Sequence, residues 1–128
     1  MKYVQTNKAP QAIGPYSQAV THAGLVYTSG QIALTPEGEM LGDDLALQTH
    51  QVLKNLTEVL IEANSGLDKV IKTTIFLADM DSFAAVNEIY ASYFGSHKPA
   101  RATVAVKTLP KNALVEIDAI AAVEGYSY

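Results

Sequence analysis

The sequence contains no cysteine and comparatively few charged residues. Without a thiol the chain cannot form disulfides, use a cysteine nucleophile or hold a metal through cysteine, which fits a reducing compartment. Charged residues make up 17% of the chain, against about 25% in an ordinary soluble domain. We therefore expect a partner, often a second copy of the same chain, to cover part of its surface.

Long apolar runs and clusters of basic residues are missing too. No apolar stretch approaches the roughly 20 residues that span a bilayer, and residues 1–18 lack the apolar segment of a signal peptide. The formal net charge is -4, and Lys and Arg form no run, so sequence-independent binding of nucleic acid is not expected. These absences favour a cytoplasmic protein.

The chain is long and apolar enough to fold around one core. Hydrophobic residues make up 48% of its 128 residues, and a chain of this length removes roughly two-thirds of its unfolded surface from water when it folds. We find no internal repeat, low-complexity segment or linker. Residues 1–128 are therefore predicted to form a single domain.

Hydrophobic periodicity predicts a first helix over residues 43–66. Asp43 or Asp44 is expected to cap its N-terminus, and Gly66 is expected to cap its C-terminus. Six apolar residues recur near the helical period and predict one buried stripe. The stripe comprises Leu45, Val52, Leu56, Val59, Leu60 and Ala63.

A second helix is predicted over residues 81–95. Asp81 is its expected N-cap, and Gly95 is its expected end, since Pro99 follows shortly afterwards. Four apolar residues at helical spacing predict its inner face. They are Phe83, Val86, Tyr90 and Phe94.

The remaining segments are predicted to be strands and turns. Residues 2–20 contain two prolines and are expected to be extended or looped. A tight turn at 22–24 leads into a β-rich stretch at 25–30, and β-branched residues predict a strand within 67–80. Residues 98–123 are interpreted as two strands joined by a turn. This order predicts an α+β fold in which two helices cover one face of a mixed sheet.

The sheet face away from the helices is predicted to be covered as well. Side chains alternate along a strand, so Val115 and Ile117 are expected to face the helices while Glu116 and Asp118 face away. On the preceding strand, Val104 and Val106 are expected to face the helices, while Arg101, Thr103 and Ala105 are expected to face away. That face then mixes apolar residues with acids and one arginine, which indicates a homo-oligomer packed against it. The alternative is an ordinary half-solvated sheet with surface acids.

A few side chains are candidates for chemistry on residue type alone. Arg101 can bind a carboxylate through two hydrogen bonds, or it can form a structural ion pair across an interface with Glu116 or Asp118. Glu116 can act as a general base or orient a water, or it can pair with a basic residue. Tyr16 and Tyr27 can line a pocket or belong to the core. The residues alone leave these alternatives open.

Several familiar catalytic motifs are missing from the sequence. Ser29 lies in TSGQ, which is not a nucleophile elbow, and no GxSxG occurs. TSGQ also lacks the glycines and the lysine of a phosphate-binding loop. The three histidines have no ligand spacing, so no metal site is expected.

Five short motifs together resemble those of the Rid family, the reactive intermediate deaminases, which are also called YjgF-type proteins. The match covers nearly the whole chain in the same order and is most similar to the RidA subgroup. The motifs are GPYSQ at 14–18, SGQI at 29–32, PAR at 99–101, LPK at 109–111 and VEIDAIA at 115–121. The longer segments that match are residues 12–20, 28–40, 48–64, 73–94 and 98–121.

The resemblance implies a fold and an activity. The implied fold is chorismate-mutase-like, in a homotrimer with its helices outside and clefts between subunits. The implied activity is hydrolysis of 2-enamino and 2-imino acids such as 2-aminoacrylate, which leak from pyridoxal-phosphate-dependent dehydratases, to 2-keto acids and ammonia without a cofactor. A non-catalytic trimer that binds small carboxylates, with a regulatory or chaperone-like role, is the alternative. A nuclease is less favoured, because the chain is acidic and has neither a metal constellation nor a histidine pair.

The resemblance also implies roles for particular residues. Arg101 corresponds to the arginine that binds the substrate carboxylate, and Glu116 corresponds to the glutamate that orients water. Many relatives have a cysteine where this chain has Thr103, whose backbone and hydroxyl can still meet a substrate, whereas thiol-based redox control is lost. The implied substrate-binding residues are Tyr16, Ser29, Gly30, Asn87 and Thr103.

Overall fold

A computed structural model of the chain describes residues 1–125. These residues form one six-stranded sheet and two α-helices, which confirms the predicted α+β fold. None of the helices in this part of the chain is long and apolar enough to cross a membrane. The strands are β1 (Lys2–Val4), β2 (Ala19–His22), β3 (Leu25–Thr28), β4 (Val70–Leu77), β5 (Ala100–Ala105) and β6 (Val115–Ala122), and the helices are α1 (Leu45–Glu62) and α2 (Phe83–Phe94).

The sheet is mixed, and its strand order is β1-β2-β3-β6-β4-β5. All neighbouring pairs are antiparallel except β4 and β5, which run parallel. The two last strands of the chain are therefore not neighbours, because β4 lies between β6 and β5. This arrangement makes β5 an edge strand and places β6 at the centre of the sheet.

Both helices pack on one face of the sheet, where the core lies. The buried side of β6 comprises Val115, Ile117, Ala119 and Ala121, as the alternation predicts. The predicted stripe of α1 is buried apart from Leu45, which is half-buried, and Leu53 joins it. On α2, Val86, Tyr90 and Phe94 are buried and Phe83 is half-buried.

The first helix begins where the sequence predicts and ends differently. The Asp44 side chain accepts a hydrogen bond of 3.0 Å from the Leu47 N–H, as a helix N-cap does. At the other end, Asn64 has a φ of 60°, and the Ser65 N–H donates to the Leu60 carbonyl at 2.9 Å. This is a Schellman motif with asparagine in the left-handed position. The prediction that Gly66 caps this helix is wrong.

Only one of the two predicted ends of the second helix is confirmed. Asp79, not Asp81, starts the turn before α2, because its carboxylate accepts from the Asp81 N–H at 2.8 Å. A short 3-10 turn, Met80–Ser82, then leads into the helix. Gly95 ends α2 as predicted, with a φ of 61°.

Candidate functional site

Arg101 and Glu116 lie on opposite faces of the sheet. Arg101 pairs with Thr73 of β4 in parallel register, and Thr73 is buried on the helix side, where its hydroxyl shares a hydrogen bond of 2.8 Å with the Tyr90 hydroxyl of α2. Glu116 pairs with Phe76, three residues further along β4, and therefore lies on the other face. The expectation that Arg101 shares a face with Glu116 is wrong.

Thr103 and Ala105 follow Arg101 to the helix side. Thr103 pairs with Ile75, and Ala105 pairs with Leu77, and both partners are buried in the core. Val104 was expected on the helix side. It lies instead on the face of the sheet away from the helices, the open face, which also carries Glu116. The Thr103 hydroxyl is buried and has no hydrogen-bond partner within residues 1–125. An unsatisfied buried hydroxyl is destabilising by about 1–3 kcal/mol, and none of the described residues compensates this one.

The helix-side group of predicted site residues is centred on the Arg101 guanidinium. Its Nη1 donates to Asn87 Oδ1 of α2 at 2.7 Å. The guanidinium carbon lies 5.0 Å from the ring centroid of Tyr90 and 5.5 Å from that of Phe83. Arg101 is exposed and forms no ion pair with any described residue of its own chain. The structure thus brings Arg101 into contact with Asn87, with Thr103 two residues along the same face of β5. Among the described residues it leaves the positive charge without a counter-charge.

The open-face group is centred on the Glu116 carboxylate. Residues 29–31 run beside β6, because Gln31 and Ile117 exchange backbone hydrogen bonds of 2.9 and 3.1 Å. Gly30 faces Glu116 so closely that a Cβ there would lie 2.8 Å from the carboxyl carbon. A side chain at position 30 would therefore displace the carboxylate. The structure thus brings Gly30 and Glu116 together.

The loop before β2 is tied to the same segment. Ser29 donates its hydroxyl to the Ser17 carbonyl and its N–H to the Gln18 carbonyl, the latter at 2.9 Å. Tyr16 precedes Ser17 and is 55% exposed. Its hydroxyl accepts from the Ile13 N–H at 3.4 Å, and within residues 1–125 no hydrogen bond joins it to Glu116. Ser29 thus positions the loop, while Tyr16 extends into solvent.

Burial and a neighbouring acid alter the titration of Glu116. Partial burial raises the pKa of Glu116 above its ordinary value of 4.5, and the negative charge of Asp118, on the same face of β6, raises it further. Burial also raises the pKa of Asp118, although hydrogen bonds from Thr74 and the charge of Lys72 oppose that rise. Glu116 therefore holds a proton more tightly than a solvated glutamate, which suits a group that must take up and release protons.

The large surface cavities of the described chain lie away from both groups. One of about 640 Å³ is lined by residues such as Tyr3, His22 and Asn64. Another of about 660 Å³ is lined by residues such as Lys54, Glu58 and Tyr93. Neither cavity is lined by Arg101 or Glu116. The predicted site residues thus form two separate half-sites on one chain.

Sequence reasoning missed some contacts of the candidate site. Phe83 and Tyr90 were predicted as core residues only, whereas the structure places both rings against Arg101. The available signal is their spacing with Asn87: positions 83, 87 and 90 share one face of a helix. Asp118 was predicted on the correct face of the sheet. The effect of its charge on the pKa of Glu116 depends on how deeply both carboxyl groups are buried in the folded chain, which the sequence does not show.

Comparison with known proteins identifies the family. A sequence model of the family described as Endoribonuclease L-PSP matches residues 6–123. This chain belongs to that family, also called YjgF/Rid. Among other Rid-family members, it is 48% identical over 121 residues to a mouse protein named 2-iminobutanoate/2-iminopropanoate deaminase, with 94% of this chain and 90% of the mouse protein covered.

Solved structures of Rid-family proteins have the same fold. The chain superposes on YyfA of the Rid family from Yersinia pestis with a TM-score of 0.94 at 49% identity, covering 95% of this chain and 98% of the other. It superposes on Escherichia coli TdcF with bound serine with a TM-score of 0.90 at 39% identity, again covering 95% and 98%. These matches confirm the predicted fold of the chain.

Proposed function

We propose that this Rid-family protein is a 2-iminobutanoate/2-iminopropanoate deaminase, a hydrolase that needs no cofactor. Its substrates are the reactive 2-enamino and 2-imino acids released by pyridoxal-phosphate-dependent dehydratases, and its products are 2-keto acids and ammonia. The observation that carries this proposal is the pair of half-sites: an arginine without a counter-charge on one face and a glutamate of raised pKa on the other. The mouse relative named as such a deaminase supports it.

The two half-sites require a second copy of the chain to form one site. Arg101 lies on the edge strand β5, and Glu116 lies on the open face, so identical chains packed through that face can bring the arginine of one copy to the glutamate of the next. The open face has an apolar character that suits such packing, since Tyr27 and Val104 are each 44% exposed. The resemblance to the Rid family makes a homotrimer the proposed assembly.

In this assembly Arg101 binds the substrate carboxylate. Charge-assisted hydrogen bonds of this kind contribute about 1.5–3 kcal/mol each, and they fix the neighbouring C=N carbon in position. Asn87 occupies Nη1 and leaves other guanidinium N–H groups for the ligand. The unpaired Thr103 hydroxyl is proposed to bond to the same ligand.

Glu116 polarises the attacking water. The carboxylate accepts a proton from the water while the water oxygen bonds to the imine carbon. The C=N electron pair moves to nitrogen in the same step. Glu116 then passes that proton to the nitrogen, which gives a carbinolamine with one hydroxyl and one NH2 group on the former imine carbon. The hydroxyl proton next moves through Glu116 to the NH2 group, the C–N bond breaks, ammonia leaves, and the C=O bond of the keto acid forms. Gly30 leaves room for the carboxylate, and Ser29 and Tyr16 line the cleft. Positioning suffices as the source of rate, because imines already hydrolyse in water.

The direct test measures keto-acid release while a serine or threonine dehydratase generates the imine. The purified protein is expected to accelerate release from several imino acids in proportion to its concentration, with no added metal or cofactor. If imine decay is the same with and without the protein, the proposed deaminase activity is wrong.

Carboxylate binding without turnover is the second candidate, in which a trimer with a regulatory or chaperone-like role senses a small carboxylate. It is favoured by the structure of TdcF with bound serine, a relative that holds an amino acid. The two candidates differ in their need for Glu116, because a carboxylate sensor needs Arg101 alone. Acceleration of imine decay by the pure protein therefore decides for the enzyme.

Gly30→Ala is expected to reduce kcat/KM by about tenfold or more with little loss of stability. The new Cβ would collide with the Glu116 carboxyl group, and the flexible end of that side chain moves more easily than the backbone. A carboxylate displaced by about 1 Å positions water poorly. Imine hydrolysis and thermal unfolding of the variant and parent are the measurements.

Gly42→Ala is the matched control for this prediction. A Cβ at Gly42 meets nothing within 4 Å, so the same chemical change is made in open space. Its activity is expected to equal that of the parent. Equal activity of both variants and the parent would contradict the proposal that the position of the Glu116 carboxylate matters for catalysis.

A further inference from the structure

The guanidinium of Arg101 is held by a cage that belongs entirely to one face of α2. Phe83, Asn87 and Tyr90 supply one ring, one amide oxygen and a second ring, at 5.5 Å, 2.7 Å and 5.0 Å respectively. Their spacing places them in successive turns of the same helix. An edge-strand arginine that would otherwise sample many rotamers is thereby restricted to few.

The cage restrains the cation without neutralising it. Aromatic faces attract a guanidinium through their quadrupoles, and the Asn87 oxygen is an uncharged acceptor. A carboxylate in place of Asn87 would hold Arg101 at least as firmly, but it would also pair with the positive charge. No described residue of the chain forms an ion pair with Arg101, so the full charge remains available to a ligand.

Tyr90, one of the two rings of the cage, is itself held in place by neighbouring residues. The Tyr90 hydroxyl shares a hydrogen bond of 2.8 Å with the Thr73 hydroxyl, and Thr73 is 1% exposed, directly beside Arg101 in the parallel register of β4 and β5. The Tyr90 ring also stacks on Phe94 with centroids 4.4 Å apart. Tyr90 is therefore fixed on two sides before any ligand arrives.

We propose that Phe83 and Tyr90 are positioning residues that preorganise Arg101 to bind a planar 2-oxo or 2-imino carboxylate through the N–H groups that Asn87 leaves free. This inference rests on the proposed function for its ligand class. A ligand that meets a restrained arginine loses less conformational entropy on binding than one that must order a mobile side chain. The rings thus act on affinity for the carboxylate, not on the attack by water at Glu116.

The test measures the dissociation constant for pyruvate by calorimetry, together with kcat and KM for imine hydrolysis. Phe83→Leu is expected to weaken pyruvate binding about threefold, and Tyr90→Leu about tenfold, with kcat nearly unchanged. Tyr90→Phe keeps the ring and is expected to stay within about twofold of the parent. Asn87→Asp is expected to weaken pyruvate binding about tenfold or more, because the new carboxylate neutralises Arg101.

Tyr93→Leu is the matched control, since it removes another α2 ring that contacts His50 and not Arg101. It is expected to bind pyruvate as the parent does. Pyruvate affinities of Phe83→Leu, Tyr90→Leu and Asn87→Asp that match the parent would overturn the inference, and so would an equal loss in Tyr93→Leu. A parent that binds pyruvate but does not accelerate imine hydrolysis would refute the deaminase proposal alone and leave the cage as a carboxylate site.

Discussion

Arg101→Ala is expected to lower kcat/KM for 2-imino acids by about 10²–10⁴-fold. In the proposed site, the substitution removes two charge-assisted hydrogen bonds to the substrate carboxylate, together worth about 3–6 kcal/mol in a sheltered cleft. Because the same bonds fix the imine carbon for attack, the loss is expected in both KM and kcat. Keto-acid release at several substrate concentrations separates the two parameters.

Arg101→Lys and thermal unfolding provide the controls for this result. Lysine keeps the positive charge but lacks the planar fork, so its kcat/KM is expected to fall between those of the parent and Arg101→Ala. Arg101 is exposed on an edge strand, so neither substitution is expected to change the melting temperature by more than about 2 °C. An Arg101→Ala variant that retains the parent kcat/KM would remove the carboxylate-binding role.

The buried half of the fold could be predicted because hydrophobic patterns report burial directly. The alternation along β6 correctly separates Val115 and Ile117 from Glu116 and Asp118. The α1 stripe is equally clear, since each of its members contributes to one core. Caps were less predictable, because Asn64 and Gly66 both tolerate a left-handed backbone and only the hydrogen bonds of the last turn distinguish them.

The orientation of β5 could not be predicted from its own residues. Alternation divides β5 into two sets of side chains, but five of its six residues are exposed and Thr103 is half-buried, so burial does not show which set faces the helices. The parallel register with β4 decides this, because it places Arg101 beside the buried Thr73. Register between distant segments is a property of the folded chain and cannot be derived from the alternation within β5. The prediction from the sequence therefore put Arg101 and Glu116 on the same face incorrectly.

The site residues were recognised through short motifs, which name positions but not their neighbours. Gly30 and Glu116 are 86 residues apart in the numbering, and only the folded chain shows that the absence of a side chain at one position makes room for the other. The aromatic contacts of Arg101 were hidden for a different reason. An aromatic residue at helical spacing predicts core packing equally well whether or not a cation also lies over its ring.

Glu116→Gln is expected to lower kcat for imine hydrolysis by at least about 100-fold, since it removes the proposed proton acceptor for the attacking water. Pyruvate binding is expected to persist, because Arg101 is intact.

In the parent, kcat is expected to rise with pH as Glu116 ionises. The midpoint should lie above 4.5, because burial and Asp118 raise the pKa of Glu116. Asp118→Asn removes one of these causes and is expected to move that midpoint to lower pH.

The stability of Glu116→Gln separates loss of chemistry from loss of fold. The pKa of Glu116 is higher in the folded chain than when solvated, so its ionisation disfavours folding above the folded-state pKa and has no effect below the unfolded-state pKa. At neutral pH the neutral glutamine removes this unfavourable contribution. The melting temperature is therefore expected to stay constant or rise, whereas a marked fall would show that the activity was lost through misfolding.

Mixing the two inactive variants tests whether one site is built from two chains. Arg101→Ala retains an intact glutamate half-site, and Glu116→Gln retains an intact arginine half-site. If neighbouring protomers complete each other, random mixed oligomers of equal parts have both intact groups at roughly a quarter of their sites. Co-expressed variants are then expected to recover roughly a quarter of the parent kcat, whereas variants purified separately and kept apart stay inactive. Co-expressed oligomers that contain both variants and remain inactive would overturn the proposal that neighbouring chains complete one site.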